Sequence, residues 1–198
     1  MKNYKFLHTV ILIPLLGSIM AHANSDGFYI GAETSIISFG KESLEVTKKD
    51  KSKKTYNDVE STHCNIEVGY QHFDNNRIAL YYRDHNLETK VGDISAKTFG
   101  VNYEWGFSSI ATENIMPYAL IGVGAGESTS NKVKHIDKAD VIEVNFGAGI
   151  HYQYNENFDL KVGYNHIDTA FGDFEDKETD EMSDIGQDSI VLGVAYKF

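Results

Sequence analysis

Residues 142–154 read IEVNFGAGIHYQY, and this stretch decides the class of fold. Apolar side chains stand at every even position from Ile142 to Tyr154, whereas the odd positions carry polar residues or glycine. A period of two places alternate side chains on opposite faces of an extended chain, while a helix would repeat its apolar face roughly every 3.6 residues. The stretch therefore predicts a β-strand with one apolar face and one polar or empty face.

Seven further segments repeat this alternation. Their apolar faces run from Phe28 to Ile36, Cys64 to Tyr70, Ile78 to Tyr82, Phe99 to Phe107, Ala119 to Val123, Phe158 to Tyr164 and Ile190 to Phe198. Residues 118–126 are ambiguous in phase, and an apolar face of Ala119, Ile121 and Val123 opposite the glycines at 122, 124 and 126 fits them best. The chain is therefore predicted to be all-β, with eight strands.

The predicted connections differ in length at the two ends of the strands. Residues 41–61, 127–140 and 168–187 are long connections at one end of the strands, where residues 86–93 form a moderate one. At the other end, residues 74–76 and 155–157 form short turns and residues 108–116 a moderate connection. An even number of antiparallel strands with long loops on one side is typical of a barrel that spans a bacterial outer membrane. We therefore predict a closed, antiparallel, eight-stranded up-and-down transmembrane barrel without a helical span.

The polar face of the strands is predicted to line the lumen. Many strand glycines lie on this face, and a strand glycine is best tolerated where neighbouring side chains crowd it, as inside a narrow barrel. Charged groups buried there must be paired, which predicts an ion-pair network that plugs the lumen. The predicted network consists of Glu33, Glu67, Arg83, Glu104, Glu143, Asp159, Lys161 and Lys197. The inverse arrangement, with these charges in water, would make a soluble barrel such as a periplasmic lipocalin-like carrier.

Aromatic residues concentrate at the strand ends beside the short turns. Tyrosine and tryptophan favour the boundary between membrane and water because the ring is apolar and its tip is polar. We predict an aromatic belt formed by Tyr70, Trp105, Phe107, Tyr152, Tyr154 and Phe158. Phe73, Tyr118, Tyr196 and Phe198 are predicted to extend this belt.

The first 23 residues are predicted to be a secretory signal peptide. Lys2 and Lys5 precede an apolar run, and Ala21-His22-Ala23 has the small-x-small pattern of a cleavage site. This divides the chain into a signal peptide, residues 1–23, and a barrel domain, residues 24–198. The net charge of −11 makes nucleic acid an implausible partner, and the single cysteine allows no internal disulfide.

The ends of the predicted barrel domain carry the pattern of a known family. The chain resembles the small eight-stranded outer-membrane barrels, a group that includes the OmpA transmembrane domain, OmpX, Ail-type adhesins and opacity proteins. The resemblance rests on the start Gly27-Phe28-Tyr29-Ile30-Gly31-Ala32 and on the terminal run that ends Val194, Tyr196, Phe198. It implies that the terminal run is a signal for the barrel-assembly machinery, and that both termini lie in the periplasm of a Gram-negative cell. It also implies a monomer in contact with outer-membrane lipid and lipopolysaccharide.

We expect a structural or cell-surface interaction role through the external loops, toward a ligand that the sequence does not identify. A narrow porin-like channel for ions or small polar solutes is the alternative, although eight strands leave a lumen just wide enough for side chains. A lipid A-modifying hydrolase is a further alternative, because Asn165-His166-Ile167-Asp168 resembles the His-x-Ser-Asn motif of lipid A deacylases. Asp168 replaces the nucleophilic serine and Thr169 is out of register, so no enzyme activity is predicted.

Other polar groups are predicted to serve no catalytic or cofactor site. His63, His85, His135 and His166 are read as solvated residues of the external rim rather than metal ligands, because no short histidine spacing links them. A lysine-rich first loop (residues 48–54) and an acidic last loop (residues 173–184) are read as solvated. We therefore predict no cofactor and no metal.

Overall fold

The structure, a computed structural model, describes residues 27–39, 42–47, 53–72, 76–89, 92–107, 110, 114–130, 138–172 and 182–198. The predicted signal peptide, residues 1–23, lies outside these residues. In this part of the chain no helix is long and apolar enough to cross a membrane.

The described residues form nine strands. They are β1 (Gly27–Phe39), β2 (Glu42–Thr47), β3 (Lys53–His72), β4 (Asn76–Thr89), β5 (Gly92–Gly106), β6 (Ile115–Ser130), β7 (Asp140–Gln153), β8 (Phe158–Gly172) and β9 (Met182–Lys197). Every pairing is antiparallel, and β1 closes the sheet against β9. Both β1 and β2 pair with β3 and β9, so together they occupy one strand position of the barrel. The predicted eight-stranded closed barrel is confirmed.

The strand register shows how strongly the barrel is tilted. Pairing partners followed once around the barrel lead from Phe158 on β8 back to Asp168 on the same strand, a shift of 168 − 158 = 10 residues. Ten residues at about 3.3 Å against eight strands at about 4.8 Å gives a tilt of about 40°. A barrel of this size has an interior that side chains fill, so the lumen-facing residues must contact one another.

The outward-facing side chains form an apolar band. On β8 the outward residues are apolar from Phe158 to Tyr164, and the first polar one is His166. The first polar outward residues of β4, β5 and β9 are Asp84, Lys97 and Asp188. Eight residues of a strand tilted by about 40° rise roughly 20 Å, close to the height of a membrane barrel's apolar band. The band also settles residues 118–126, since Ile121 and Val123 are exposed while Gly122 and Gly124 are buried.

The strands continue past this band, which corrects four predicted connections. Residues 42–47 and 53–60 are strand rather than part of a loop over 41–61, and Thr89 pairs with Gly92 inside the predicted loop 86–93. Strand β6 reaches Ser130, β8 reaches Gly172, and β9 begins at Met182, so the loops predicted over 127–140 and 168–187 are shorter as well. The prediction was wrong because it followed the lipid-facing apolar pattern, which ends at the band, whereas backbone pairing continues.

Beyond the band the alternation is reversed. The strand segments beyond the band, on the side predicted to face outside the cell, are called the external extension below. Here apolar side chains point inward and polar ones point outward, as in a soluble barrel. The inward residues form one buried cluster, the apolar cap: Leu87, Ile94, Ala96, Ala139, Val141, Phe171 and Ile185. The barrel therefore has a polar lumen within the band and an apolar core above it.

Candidate functional site

The lumen beside the short turns is filled by a charged group, the lower cluster, centred on Arg77. This guanidinium forms an ion pair with Asp159 and donates from Nε to Gln71 Oε1 at 3.0 Å. His151 Nδ1 lies 3.3 Å from Arg77 Nη1, and His151 Nε2 lies 2.6 Å from Glu104 Oε1. The ring therefore accepts from Arg77 on one side and donates to Glu104 on the other.

Two lysines complete the lower cluster. Lys161 Nζ lies 2.8 Å from Glu33 Oε2 and 3.5 Å from Glu104 Oε2, and Lys197 Nζ lies 3.5 Å from Asp159 Oδ1. Glu67 also faces the lumen, beside Gly31, but it makes no ion pair with a described residue. Three cations thus stand among four carboxylates. Because the charges nearly balance and share hydrogen bonds, the cluster satisfies the conditions under which buried charges are tolerated.

Above the lower cluster, the lumen is filled by a second group, the upper cluster, centred on the carboxylate of Glu143. Its Oε1 accepts from Tyr81 Oη and from Arg83 Nη1, the latter at 2.7 Å. Its Oε2 lies 2.8 Å from His85 Nε2 and accepts from Thr98 Oγ1 at 2.9 Å. Glu143 is fully buried, so four donors on one carboxylate replace the hydration that it loses.

Three lumen tyrosines share one arrangement of ring, glycine and cation. Tyr81 lies across Gly100 and Gly124, Tyr118 across Gly149 and Gly163, and Tyr29 across Gly69. A cation lies over each ring: Arg83 4.6 Å from the centroid of Tyr81, Lys161 4.9 Å from Tyr118, and Arg77 5.1 Å from Tyr29. A Cβ at these glycines would overlap the ring, which is why the lumen face carries so many of them. Tyrosines and ion pairs together occlude the lumen.

Seven of the eight residues of the predicted network take part in these ion pairs, and Glu67 does not. Arg77 and His151 were missed by the sequence reasoning. Both were within reach of it, because Arg77 stands one position before the outward Ile78 and His151 continues the lumen-facing phase of β7. The tyrosine, glycine and cation triples left no local signal, since their members come from different strands.

A closed barrel with an apolar outer band and a charged interior has the inside-out pattern of a membrane barrel rather than a soluble one. A family model, the outer membrane protein beta-barrel domain, matches residues 9–198. The chain belongs to this family. The protein accordingly lies in the outer membrane, with the apolar band in contact with lipid.

Solved structures with the same fold are small outer-membrane proteins. Neisserial surface protein A (NspA) is 17% identical, with a TM-score of 0.59 over 88% of this chain and 100% of that chain. The outer membrane protein OprG from Pseudomonas aeruginosa is 13% identical, with a TM-score of 0.53 over 89% of this chain and 97% of that chain. No curated protein matches the chain. At these identities the likeness concerns the fold alone.

Just above the apolar band, an outward-facing polar cluster joins β8 and β9. His166 Nδ1 lies 2.7 Å from Asp188 Oδ1 and His166 Nε2 lies 3.1 Å from Asp168 Oδ1, while Tyr164 donates to Asp188. The hydrogen bond that His166 donates to Asp188 raises the pKa of His166, and the hydrogen bond from the Tyr164 hydroxyl lowers the pKa of Asp188. We call these four residues the boundary cluster.

The boundary cluster contains His166 and Asp168 of the motif that resembled a lipid A deacylase, whereas Asn165 and Ile167 are buried. Both ring nitrogens of His166 are engaged by carboxylates, so neither is free to take a proton from a hydroxyl. Thr169 is buried and faces the lumen, on the other side of the β8 backbone from His166. The arrangement required for acyl transfer, a hydroxyl against a free imidazole nitrogen, does not form here.

The predicted belt residues Tyr70, Trp105, Phe107, Tyr152, Tyr154 and Phe158 all face outward at the short-turn end. Tyr196 packs against Phe158 and Phe198 with ring centroids 5.1 and 5.2 Å apart. Tyr118 was wrongly assigned to the belt, since it is buried in the lumen, whereas Phe73 lies outside the described residues. The roles of the belt and of Val194, Tyr196 and Phe198 in assembly stay predictions.

The predicted external rim of solvated histidines is also corrected. His63 and His85 are buried in the lumen with ring centroids 5.9 Å apart, because the alternation of β3 and β4 points them inward. His166 faces outward, and His135 lies outside the described residues. Across the residues that the structure describes, no group of three or more His, Cys, Asp or Glu could hold a metal ion. Most of the lysine-rich and acidic loops lies outside them too.

Proposed function

We propose that this protein is a non-catalytic barrel that acts at the cell surface through its external end. The observation that carries the proposal is the closed lumen: two charged clusters, three tyrosine rings and an apolar cap succeed one another along its axis. A barrel filled in this way offers no route through its interior. What remains for recognition is the external extension and the connections that it carries.

The external extension supports this role by its construction. The buried apolar cap holds the strand ends together above the membrane, so the connections at residues 131–137 and 173–181 start from a packed support. Outward positions of this support are polar, as expected for a surface in water. The strand ends on either side of each connection are therefore positioned to present the connection to a partner.

The test compares intact cells that display the protein with cells that display a variant whose residues 131–137 and 173–181 are replaced by Gly-Ser segments of equal length. Retention on immobilised lipopolysaccharide, polyanion and extracellular-matrix protein is measured for both. A faster unheated band on a detergent gel must show that the variant still folds. We expect lower retention of the variant on at least one surface; equal retention on all three would contradict the proposal.

The channel alternative is tested with the same purified protein. In a planar lipid bilayer we expect no discrete conductance steps from the parent chain, because the upper and lower clusters occlude the lumen. Steps of constant size that vanish when the protein is omitted would replace the proposed surface role with that of a narrow pore.

A further inference from the structure

At the top of the apolar band, the wall between β1 and β3 has a seam at which the backbone register changes. The register of β3 with β1 ends at Cys64, and its register with β2 begins at Val59, so residues 60–63 lie between the two. On its other side, β3 pairs with β4 through all four of these residues. We call residues 35–38 of β1 and residues 60–63 of β3 the β1–β3 seam.

Hydroxyl groups bridge the β1–β3 seam. The backbone N–H of His63 donates to Ser35 Oγ at 2.9 Å, and Thr34 Oγ1 donates to the His63 carbonyl at 3.1 Å. Ser38 Oγ donates to the carbonyl of Ser61 at 2.6 Å. These side-chain bridges are only part-buried, and segments held by such bonds open more easily than continuous strand ladders. The seam is therefore expected to open before the β3–β4 ladder beside it.

A buried pair of histidines lies directly behind the seam. His63 on β3 and His85 on β4 are register partners, and their side chains are 3% and 1% exposed. Their ring centroids lie 5.9 Å apart. His85 Nε2 lies 2.8 Å from Glu143 Oε2, whereas His63 Nε2 has no hydrogen-bond partner among the described residues. A carboxylate thus supports the His85 ring but not the His63 ring.

The charged groups that face His63 would repel a proton on its ring. Strand β4 contributes Arg83 and His85, and β7 contributes Glu143, whose carboxylate is already shared between those two partners. Strand β1 faces His63 with the hydroxyl groups of the seam. A charged His63 would therefore be a buried cation beside Arg83, and burial of such a charge is costly unless water reaches it.

No other described residue at this level supplies a countercharge from inside the barrel. The inward residues from β3, β5, β8 and β9 are uncharged: Ser61, Thr98, Asn165, Thr169, Gln187 and Ser189. Asp84, Asp168 and Asp188 point outward, on the far side of the strand backbones. The closed wall consequently favours a neutral His63.

We propose that His63 and the β1–β3 seam form an acid-triggered switch in the barrel wall. When the external medium is acid, His63 takes up a proton and the seam opens, so that the charged ring reaches water. Leu87 of the apolar cap pairs with Ser61 of the seam, so opening of the seam also loosens the cap. This inference goes beyond the proposed surface role and does not rest on it.

The size of the effect follows from proton linkage. Only the open form holds the extra proton, so each pH unit below the ordinary histidine pKa of about 6.5 favours opening by up to about tenfold. The free ring of His63 supplies this dependence. His166, which faces outward, should contribute nothing to it.

Cysteine reactivity measures the opening. In the Cys64→Ser background, which removes the single native thiol, Ser61→Cys places a thiol in the seam and Thr129→Cys places one on the outer surface. The purified folded barrel is treated with dithiodipyridine, which stays reactive toward thiols in acid. The rate at Ser61→Cys is divided by the rate at Thr129→Cys at each pH, so that the pH dependence of the reagent and of the thiol cancels. We expect this ratio to rise about tenfold or more between about pH 8 and about pH 5.

Two histidine variants identify the trigger. His63→Gln keeps a polar side chain that cannot titrate in this range, and it should abolish the rise in the ratio. His166→Gln is the matched control, which should leave the rise unchanged. A ratio that stays constant with pH in the parent background would overturn the switch, and so would a rise that persists in His63→Gln.

Two serine variants test the seam itself. Ser35→Ala removes the acceptor of the His63 N–H, so the ratio should already be raised at about pH 8 and should rise further in acid. Ser189→Ala is the matched control, because Ser189 Oγ bridges to the carbonyl of Asn165 between strands whose backbone register is continuous. Equal ratios for the two alanine variants would overturn the role of the seam.

A second measurement replaces the first if Ser61→Cys shows no folded band on a detergent gel. Nitroxide labels are then attached at Ile37→Cys and Thr62→Cys, two outward-facing positions on opposite sides of the seam. Pulsed electron paramagnetic resonance should show a longer and broader distance distribution in acid than at neutral pH. An unchanged distribution would overturn the switch.

Discussion

The apolar band and the external extension are built from the same continuous strands, yet their side chains follow opposite rules. In the band, Glu143 and Arg83 point inward and apolar residues point out to lipid. In the extension, Phe171 and Ile185 point inward while Asp168 faces out. The strand pairing does not change between the two regions. The surrounding solvent, not the backbone fold, therefore decides which half of the alternation is apolar.

The two regions also differ in what holds them together. Within the band, moving an apolar side chain from lipid to protein gains little, so polar pairing and close packing inside the lumen must give the barrel its stability. In the extension, water surrounds the strands, and burial of the cap supplies an ordinary hydrophobic driving force. Substitutions of the same kind should consequently act differently in the two places.

Removal of the Glu143 carboxylate should have the largest effect. Glu143→Ala leaves Arg83 buried without its ion pair, and breaking a buried pair on one side costs about 3–5 kcal/mol. The measurement is urea unfolding in lipid vesicles, followed by the fluorescence of Trp105, the single tryptophan. The double variant Arg83→Met, Glu143→Leu removes both charges and should recover much of the loss. A loss below about 1 kcal/mol in Glu143→Ala would show that the upper cluster does not stabilise the band.

A matched pair of phenylalanines compares the regions directly. Phe171 in the cap is 1% exposed and Phe146 in the band is 45% exposed to lipid. Phe171→Ala should cost about 3–4 kcal/mol through lost burial and a cavity, whereas Phe146→Ala should cost clearly less. Hydrogen exchange of the β8 amides above and below His166 shows where stability is lost. Similar losses for the two variants would mean that the cap is not a hydrophobic core.

Ring packing in the lumen is tested by Gly163→Ala. The added Cβ would overlap Tyr118 and displace a ring that Lys161 covers, and overpacking of this kind costs about 1–3 kcal/mol. Gly186→Ala is the matched control, because its Cβ meets nothing closer than Asp168 Oδ1 at 3.3 Å. Urea unfolding of both variants gives the comparison, and equal midpoints would remove the packing explanation for the lumen glycines.

The sequence predicted the apolar band well and the external extension poorly, and the difference between the two regions explains why. The lipid-facing alternation is strong wherever lipid imposes it, so eight strands and their inward faces were readable, even at residues 118–126. The external extension was missed because its polar outward residues look like loop, although Leu87, Ile94 and Phe171 stand one position out of the lipid-facing phase. The partner of each lumen charge depends on the ten-residue shift around the whole barrel, and no single strand contains that information.

The boundary between the two regions gives the smallest expected effect, which depends on pH. The raised pKa of His166 means that its contribution is complete below the ordinary histidine range and is lost as pH rises through the raised value. The lowered pKa of Asp188 means that its contribution is present above the ordinary aspartate range and is lost as pH falls through the lowered value. The stability that this cluster contributes should therefore form a plateau between the ordinary aspartate range and the ordinary histidine range. Its height should be less than about 1 kcal/mol, because the side chains are partly exposed.

His166→Gln should remove the alkaline limb of this plateau while leaving the acid limb. The glutamine amide still donates to one carboxylate, so the fold is preserved, but it carries no charge that titrates. Urea midpoints at a series of pH values from acid to alkaline check this, with the His166 ring signals followed by nuclear magnetic resonance in the parent protein. A parent ring that titrates at or below the ordinary histidine pKa would mean that the carboxylates of Asp168 and Asp188 do not hold the imidazolium at the membrane boundary.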